Sequence, residues 1–178
     1  MNNSLARLLE IAPAPTEPRQ KDWGEAECTL GLELPADYKE FIRIYGGSNW
    51  DDYLYVLEPG CPNKHYDLLK ENEGRQEDLE DLWEEERKPD ELQDEGARVI
   101  SWAVTDNGES LYWRVLPGHD PDQWTVMINE ARGDRWEHFA VSCTQFLASA
   151  LDGDIESNLL SSYYFPRNPH EFRRLSAV

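Results

Sequence analysis

The side chains able to do chemistry are few, and their spacing argues against a reaction. Four histidines, His65, His119, His138 and His170, are the natural general bases or metal ligands. None stands at metal-ligand spacing to another His or Cys, and no His-Glu-x-x-His run occurs, so neither metal nor cofactor is expected. His138 lies in a run that alternates with Trp136 and Ala140 and reads as a satisfied structural histidine. His119 sits in a Pro/Gly loop beside Asp120 and Asp122. With 36 acidic residues in the chain, such neighbours are common and say little about general-base work. Cys28, Cys61 and Cys143 are widely spaced and odd in number. That fits neither a disulfide framework nor a zinc site, and it suits a reducing, cytoplasmic setting. No Gly-x-Ser-x-Gly elbow, Gly-x-x-x-x-Gly-Lys-Ser/Thr loop or Gly-x-Gly-x-x-Gly run is present. Asp51-Asp52 and Glu84-Glu85-Glu86 are adjacent carboxylates, which point apart on a helix or strand and make poor dyads. Asp51-Asp52 also lacks the alternation of a calcium-binding loop. No catalytic residue is assigned, and the chain is not expected to be an enzyme.

Charge is more informative than motif. The formal net charge of the 178-residue chain is −19. A nucleic acid is a poor partner, because phosphate recognition needs a basic face. An anionic membrane surface is disfavoured for the same reason, and no apolar run approaches the ~20 residues that span a bilayer. A basic protein is the natural complement. Between Glu71 and Glu95 there are thirteen acidic and three basic residues, an excess that is about half of the whole chain's charge. Glu80/Glu84 and Asp81/Glu85 are each four apart, so each pair shares a helix face. These four, with Asp51 and Asp52, are the candidate partner-binding acids. Trp50 and Tyr53 beside them are candidate aromatic anchors, since binding energy concentrates on buried rings. The alternative is that both rings are core and the acidic face only solvates.

The elements that would position these groups follow from periodicity. Leu5, Leu8 and Leu9 mark a short helix, and Pro13, Pro15 and Pro18 then form a connector, with residues 1–20 as a leading segment. The N-terminus shows no basic region followed by an apolar run, so no signal peptide is expected. Asp22-Trp23-Gly24-Glu25 has capping-box spacing for a helix from about Trp23 to Leu30. Pro35 then opens a helix with Tyr38, Phe41, Ile42 and Tyr45 on one face, and Gly46-Gly47 stops it. Trp50, Tyr53, Tyr55 and Val56 are β-prone, ending at Pro59-Gly60. A helix over 64–87 follows, with Gly74 as a possible interruption. Val99–Val104 reads as a strand with Ile100, Trp102 and Val104 opposite Val99, Ser101 and Ala103. Asp106-Asn107-Gly108 predicts a hairpin. Leu111, Trp113 and Val115 alternate on the next strand, and Trp124, Val126 and Ile128 on a third. A turn at Arg132-Gly133-Asp134 leads to a fourth strand over 135–141. Ser142-Cys143-Thr144-Gln145 is a second capping box, opening a helix that buries Phe146, Leu147, Ala150 and Leu151 before Gly153. Leu159, Leu160, Tyr163, Tyr164 and Phe165 are too apolar for a free tail and are expected to dock, while residues 166–178 are expected to fray. Helix signals, then a meander, then a helix give an α+β single domain: a mostly antiparallel, twisted sheet with helices packed on one side.

Leu30-Gly31-x-x-Leu34-Pro35-x-Asp37-Tyr38-Lys39-x-Phe41 followed by Tyr45-Gly46-Gly47, with Trp23 and Glu27 upstream, resembles the signature of the SUKH superfamily. Residues 136–151 are similar to that family's closing strand and helix, while the acidic middle matches no pattern. The resemblance implies structural roles for Trp23, Gly31, Leu34, Pro35, Tyr38, Phe41, Gly46 and Gly47. It also implies a function: bacterial members are immunity proteins that bind and neutralise a cognate toxin, often a nuclease. Fungal members imply an alternative, a regulatory scaffold with no toxin partner.

Overall fold

The computed structural model describes residues 3–14, 20–131 and 133–177. Pro15, Pro18, Arg132 and Val178 lie outside them. Five helices, α1 (Asn3–Ile11), α2 (Gly24–Leu30), α3 (Ala36–Tyr45), α4 (Leu68–Glu85) and α5 (Cys143–Asp152), accompany seven strands. The strands are β1 (Ser48–Trp50), β2 (Leu54–Val56), β3 (Arg98–Thr105), β4 (Ser110–Val115), β5 (Thr125–Asn129), β6 (Trp136–Phe139) and β7 (Phe172–Arg174). They form one antiparallel sheet in the order β6-β5-β4-β3-β2-β1-β7. This is the expected α+β architecture. The meander follows chain order through six strands, and β7 is added from the far end of the chain.

The main core lies between one face of the sheet and α1, α3 and α5. Trp113, fully buried at its centre, meets Tyr38 edge-on at 4.8 Å and lies 5.9 Å from Trp124. Tyr38, Phe41, Ile42 and Tyr45 of α3 all point into it, as their spacing predicts. The other face is covered in part by α4, whose Leu79, Leu82 and Trp83 pack on Val99, Tyr112 and Met127. Gly74 does not interrupt α4, which starts at an Asp67 cap after a short 3-10 turn over Lys64–Tyr66.

Three sequence expectations fail locally. Asp22 does not close a capping box; its Oδ1 accepts from Gly24 N–H two residues on (2.9 Å), and Trp23 occupies the cap position. Strict alternation in β3 breaks at a bulge at Trp102, between Ser101 and Ala103, which brings Ala103 into the main core and leaves Val104 partly buried, packed against both the main core and the small cluster around Tyr55. Ser101 has no strand neighbour on the β2 side, since β2 ends opposite Ala103. Asn72 of α4 fills that role: its Oδ1 accepts from Ser101 N–H (2.7 Å) and its Nδ2 donates to Ser101 C=O (2.9 Å). Asn72→Ala is therefore expected to lower stability by about 1–3 kcal/mol in a urea unfolding experiment, the cost of leaving buried backbone groups unpaired. A loss of a few tenths would show that water replaces the amide.

The third failure is at the chain's far end. Residues 166–178 were expected to fray, yet they carry β7, paired with β1 from Ser48↔Arg174 to Trp50↔Phe172. Phe172 packs edge-on against Tyr45 and Trp50, and Arg174 donates to the Ile44 and Tyr45 carbonyls at the end of α3 (2.7 Å each). That guanidinium satisfies carbonyls a helix end otherwise leaves open.

Candidate functional site

The signature residues build a junction rather than a pocket. Pro35 offers no N–H and no side-chain cap, so α3 takes its cap from elsewhere: Asp122 Oδ1 accepts from Ala36 N–H (2.7 Å). Asp37 reaches Thr144 Oγ1 (2.6 Å) at the start of α5. At the other end Gly46 takes φ 68°, ψ −170°, a conformation open in practice to glycine alone. Gly47 gives its N–H to Glu58 Oε2 (2.7 Å), and a Cβ there would stand 2.9 Å from Cys61 Sγ. Gly31 caps α2 at φ 71°, Leu34 is buried, and Glu27 accepts from Leu34 N–H while pairing with Lys39. Trp23 packs edge-on to Tyr38. All of these contacts lie within the fold.

Trp50 and Tyr53 are core residues. They are 0% and 1% exposed, so neither ring can anchor a partner, and the sequence alternative that placed them inside is the correct one. Asp51 is equally buried. Both Asp51 and Asp52 hold positive φ (56° and 53°) in the turn between β1 and β2, a conformation Asp tolerates better than most residues. The Asp51 carboxylate accepts from Glu171 N–H (2.7 Å) and Arg167 N–H (2.8 Å), and it meets His170 Nδ1 (3.1 Å). Asp52 pairs with Arg167 and Arg173. The pair expected to face a partner therefore clamps the C-terminal segment. Nothing in the local sequence signals this, because the three partners lie more than 110 positions away.

The acids of α4 stand differently. Glu80, Asp81, Glu84 and Glu85 are all exposed. Glu80 accepts from Gln76 Nε2 (2.7 Å); Asp81, Glu84 and Glu85 have no ion-pair partner among the described residues. The only arginine on the helix, Arg75, is taken by Glu71 and Asp78. No basic residue lies in the last turn of α4, where Glu84, Glu85 and the capping Glu86 gather. The C-terminal end of a helix carries about half a negative charge, so three carboxylates there repel it as well as one another. Just past the cap, Arg87 is paired with Asp90 and Lys88 Nζ lies 4.5 Å from the Trp83 ring centroid, so this end of α4 is an accessible face on which the sequence-predicted acids outnumber the nearby cations.

The chemistry-bearing residues do not converge. His138 Nε2 pairs with Thr125 Oγ1 (2.8 Å), and burial together with Arg114 lowers its pKa. His119 is exposed in a shallow, largely apolar groove with Leu116, Pro117 and Trp124. Burial pushes the Cys61 thiol up to about 11 and also raises that of Cys143, with Asp37 adding to the effect there, so neither supplies a thiolate at neutral pH. Among the described residues no cluster of three His, Cys, Asp or Glu is placed to hold a metal ion, and no helix is long and apolar enough to cross a membrane.

A family model described as SMI1-KNR4 cell-wall (SUKH_6) matches residues 20–147, from before α2 into α5. No curated protein and no solved structure matches the chain. The match includes the junction around α3 and the acidic helix; it leaves out the docked segment that carries β7.

Proposed function

The chain belongs to the SUKH superfamily, and from that premise we propose that it is a non-catalytic immunity protein of the cytoplasm. It binds and neutralises a cognate toxin whose working surface is basic, as a nuclease's must be to attract phosphate. The observation that carries this reading is the excess of exposed acid over base at the C-terminal end of α4. Like charges four apart on a helix each cost a few tenths of a kcal/mol, and carboxylates at the negative end of the helix add to that cost. A cationic partner relieves both terms at once, whereas mere solubility is served as well by dispersed charge. The description of the matching family by its cell-wall proteins favours a second reading, a regulatory scaffold that binds cellular partners without inhibiting an enzyme.

The test uses a toxin domain recovered with the protein from its native cell. Association measured by stopped flow is expected to slow by ten-fold or more, as an order of magnitude, between low and physiological salt. Replacing Glu80, Asp81, Glu84 and Glu85 by Lys is expected to slow it comparably while the unfolding midpoint stays near wild type. An on-rate indifferent to both changes would remove this face as the steering surface. A bound partner whose activity is unaffected would favour the scaffold.

A further inference from the structure

Trp83 is the aromatic side chain at the acidic end of α4. It is half-buried, and its Nε1 edge is buried without a hydrogen-bond partner among the described residues. The indole packs against the cluster of Leu79, Val99, Tyr112 and Met127. Over its ring, 4.5 Å from the centroid, stands the ammonium of Lys88, well inside the ~6 Å at which an aromatic face holds a cation. Lys88 is exposed, so the face it covers is turned to solvent. Its choice of partner is informative. Glu84, Glu85 and Glu86 lie within four positions of it, yet the ammonium rests on the ring. Glu80, three positions before Trp83 and so beside it on the helix, is exposed as well. Neither Lys88 nor Glu80 is in an ion pair among the described residues. The main chain of Lys88 is held separately, its C=O accepting from Gln93 Nε2, so the ammonium can leave the ring while the loop stays in place. The outward face of Trp83 is thus a cation seat observed with a cation on it.

Resting on the reading that the partner is a basic protein, we infer that this face of Trp83 receives an arginine side chain of that partner, and that Lys88 fills the seat in the free protein. The hold on Lys88 is weak, since a solvent-exposed cation gains only about two- to five-fold from a ring. A guanidinium is planar, stacks flat on an indole and sheds water more readily than an ammonium. The Glu80 carboxylate beside the ring accepts its N–H groups. An arriving arginine therefore replaces Lys88, and the displaced ammonium is left among Glu84, Glu85 and Glu86. The seat lies within the face that steers the partner, so the two roles share one surface: the acids set the rate of capture, and the ring sets how long the partner stays.

The probe is the peptide acetyl-Gly-Arg-Gly-amide, titrated into the whole protein at low salt and followed by NMR. Saturable shifts are expected at the amides of residues 80–88. Trp83→Leu is expected to weaken the peptide about two- to five-fold, and Lys88→Gln, which vacates the ring, to tighten it by a similar factor. Lys88→Gln also removes a repelling charge, so the double variant decides: in the Trp83→Leu background its gain shrinks. Nuclear Overhauser contacts from the arginine δ-methylene to the Trp83 ring are expected in the wild-type protein, a readout that stands even where Trp83→Leu fails to fold. Binding indifferent to Trp83→Leu, an equal gain from Lys88→Gln in both backgrounds, or arginine contacts that miss the ring would each overturn the inference. A toxin whose capture responds to salt and to the α4 charge reversal, while the two substitutions do not couple, sinks this inference alone. Coupling in a protein whose bound partner keeps its activity retains the seat and removes the toxin-neutralising reading.

Discussion

Phe41→Ala is expected to destabilise the protein by about 3–5 kcal/mol. Phe41 is 2% exposed, on the inner face of α3, with ring centroids 5.1 Å from Tyr45 and 6.1 Å from Trp50. Those neighbours cannot collapse into the space it leaves. Tyr45 is tied by its hydroxyl to the Ala12 carbonyl (2.7 Å), and Trp50 is held between Tyr45 and Phe172. The lost transfer energy and the remaining cavity therefore add. Urea unfolding reads the difference directly, and a loss of a few tenths of a kcal/mol would mean that α3 is not packed as described.

Asp51→Ala is expected to cost a similar amount, about 3–5 kcal/mol, by a different route. The carboxylate is fully buried and serves two backbone N–H groups and His170. Without it those donors have no acceptor, and alanine resists the φ of 56° that Asp accepts. Asp51→Asn is the informative companion. It tolerates the backbone and keeps one acceptor oxygen, but it turns an amide N–H toward donors, so its loss falls between wild type and alanine. Hydrogen exchange locates the damage: amides of 172–175 lose protection before those of β3 and β4. Unchanged protection there, with unfolding within a few tenths of wild type, would show that the clamp is dispensable.

The sequence was legible where a signal is local. Pro35, the aromatic spacing to Tyr45, the Asn107-Gly108 turn and the Ser142 cap each act within a few residues, and each is where its spacing predicts. The acidic helix was equally plain, because four exposed carboxylates need no tertiary context to repel one another. What escaped depends on distance. The Ala36 N–H is capped by Asp122, 86 residues on, and the Asp51 carboxylate is filled by groups from 167 to 171. Trp50 and Tyr53 looked like anchors because a β-prone aromatic beside an acid reads the same inside or outside. Phe41 and Tyr45 cover Trp50 from α3, and Phe172 on Trp50 and Phe165 on Tyr53 add cover from the far end of the chain. The bulge at Trp102 left no mark either, since both registers place an apolar residue on each face.

The added strand β7 also sets an order of assembly. Six strands and the α3 face can form from neighbours in the chain, at little cost in closing loops, whereas the bonds from Arg174 to α3 span 129 and 130 residues. The end of α3 is thus secured by some of the most remote contacts in the molecule. During synthesis the meander can take shape while Tyr45 and Trp50 still lack Phe172, leaving an open sheet edge with aromatic rings uncovered. Once docked, β7 covers those rings and takes the place of β1 as the edge of the sheet.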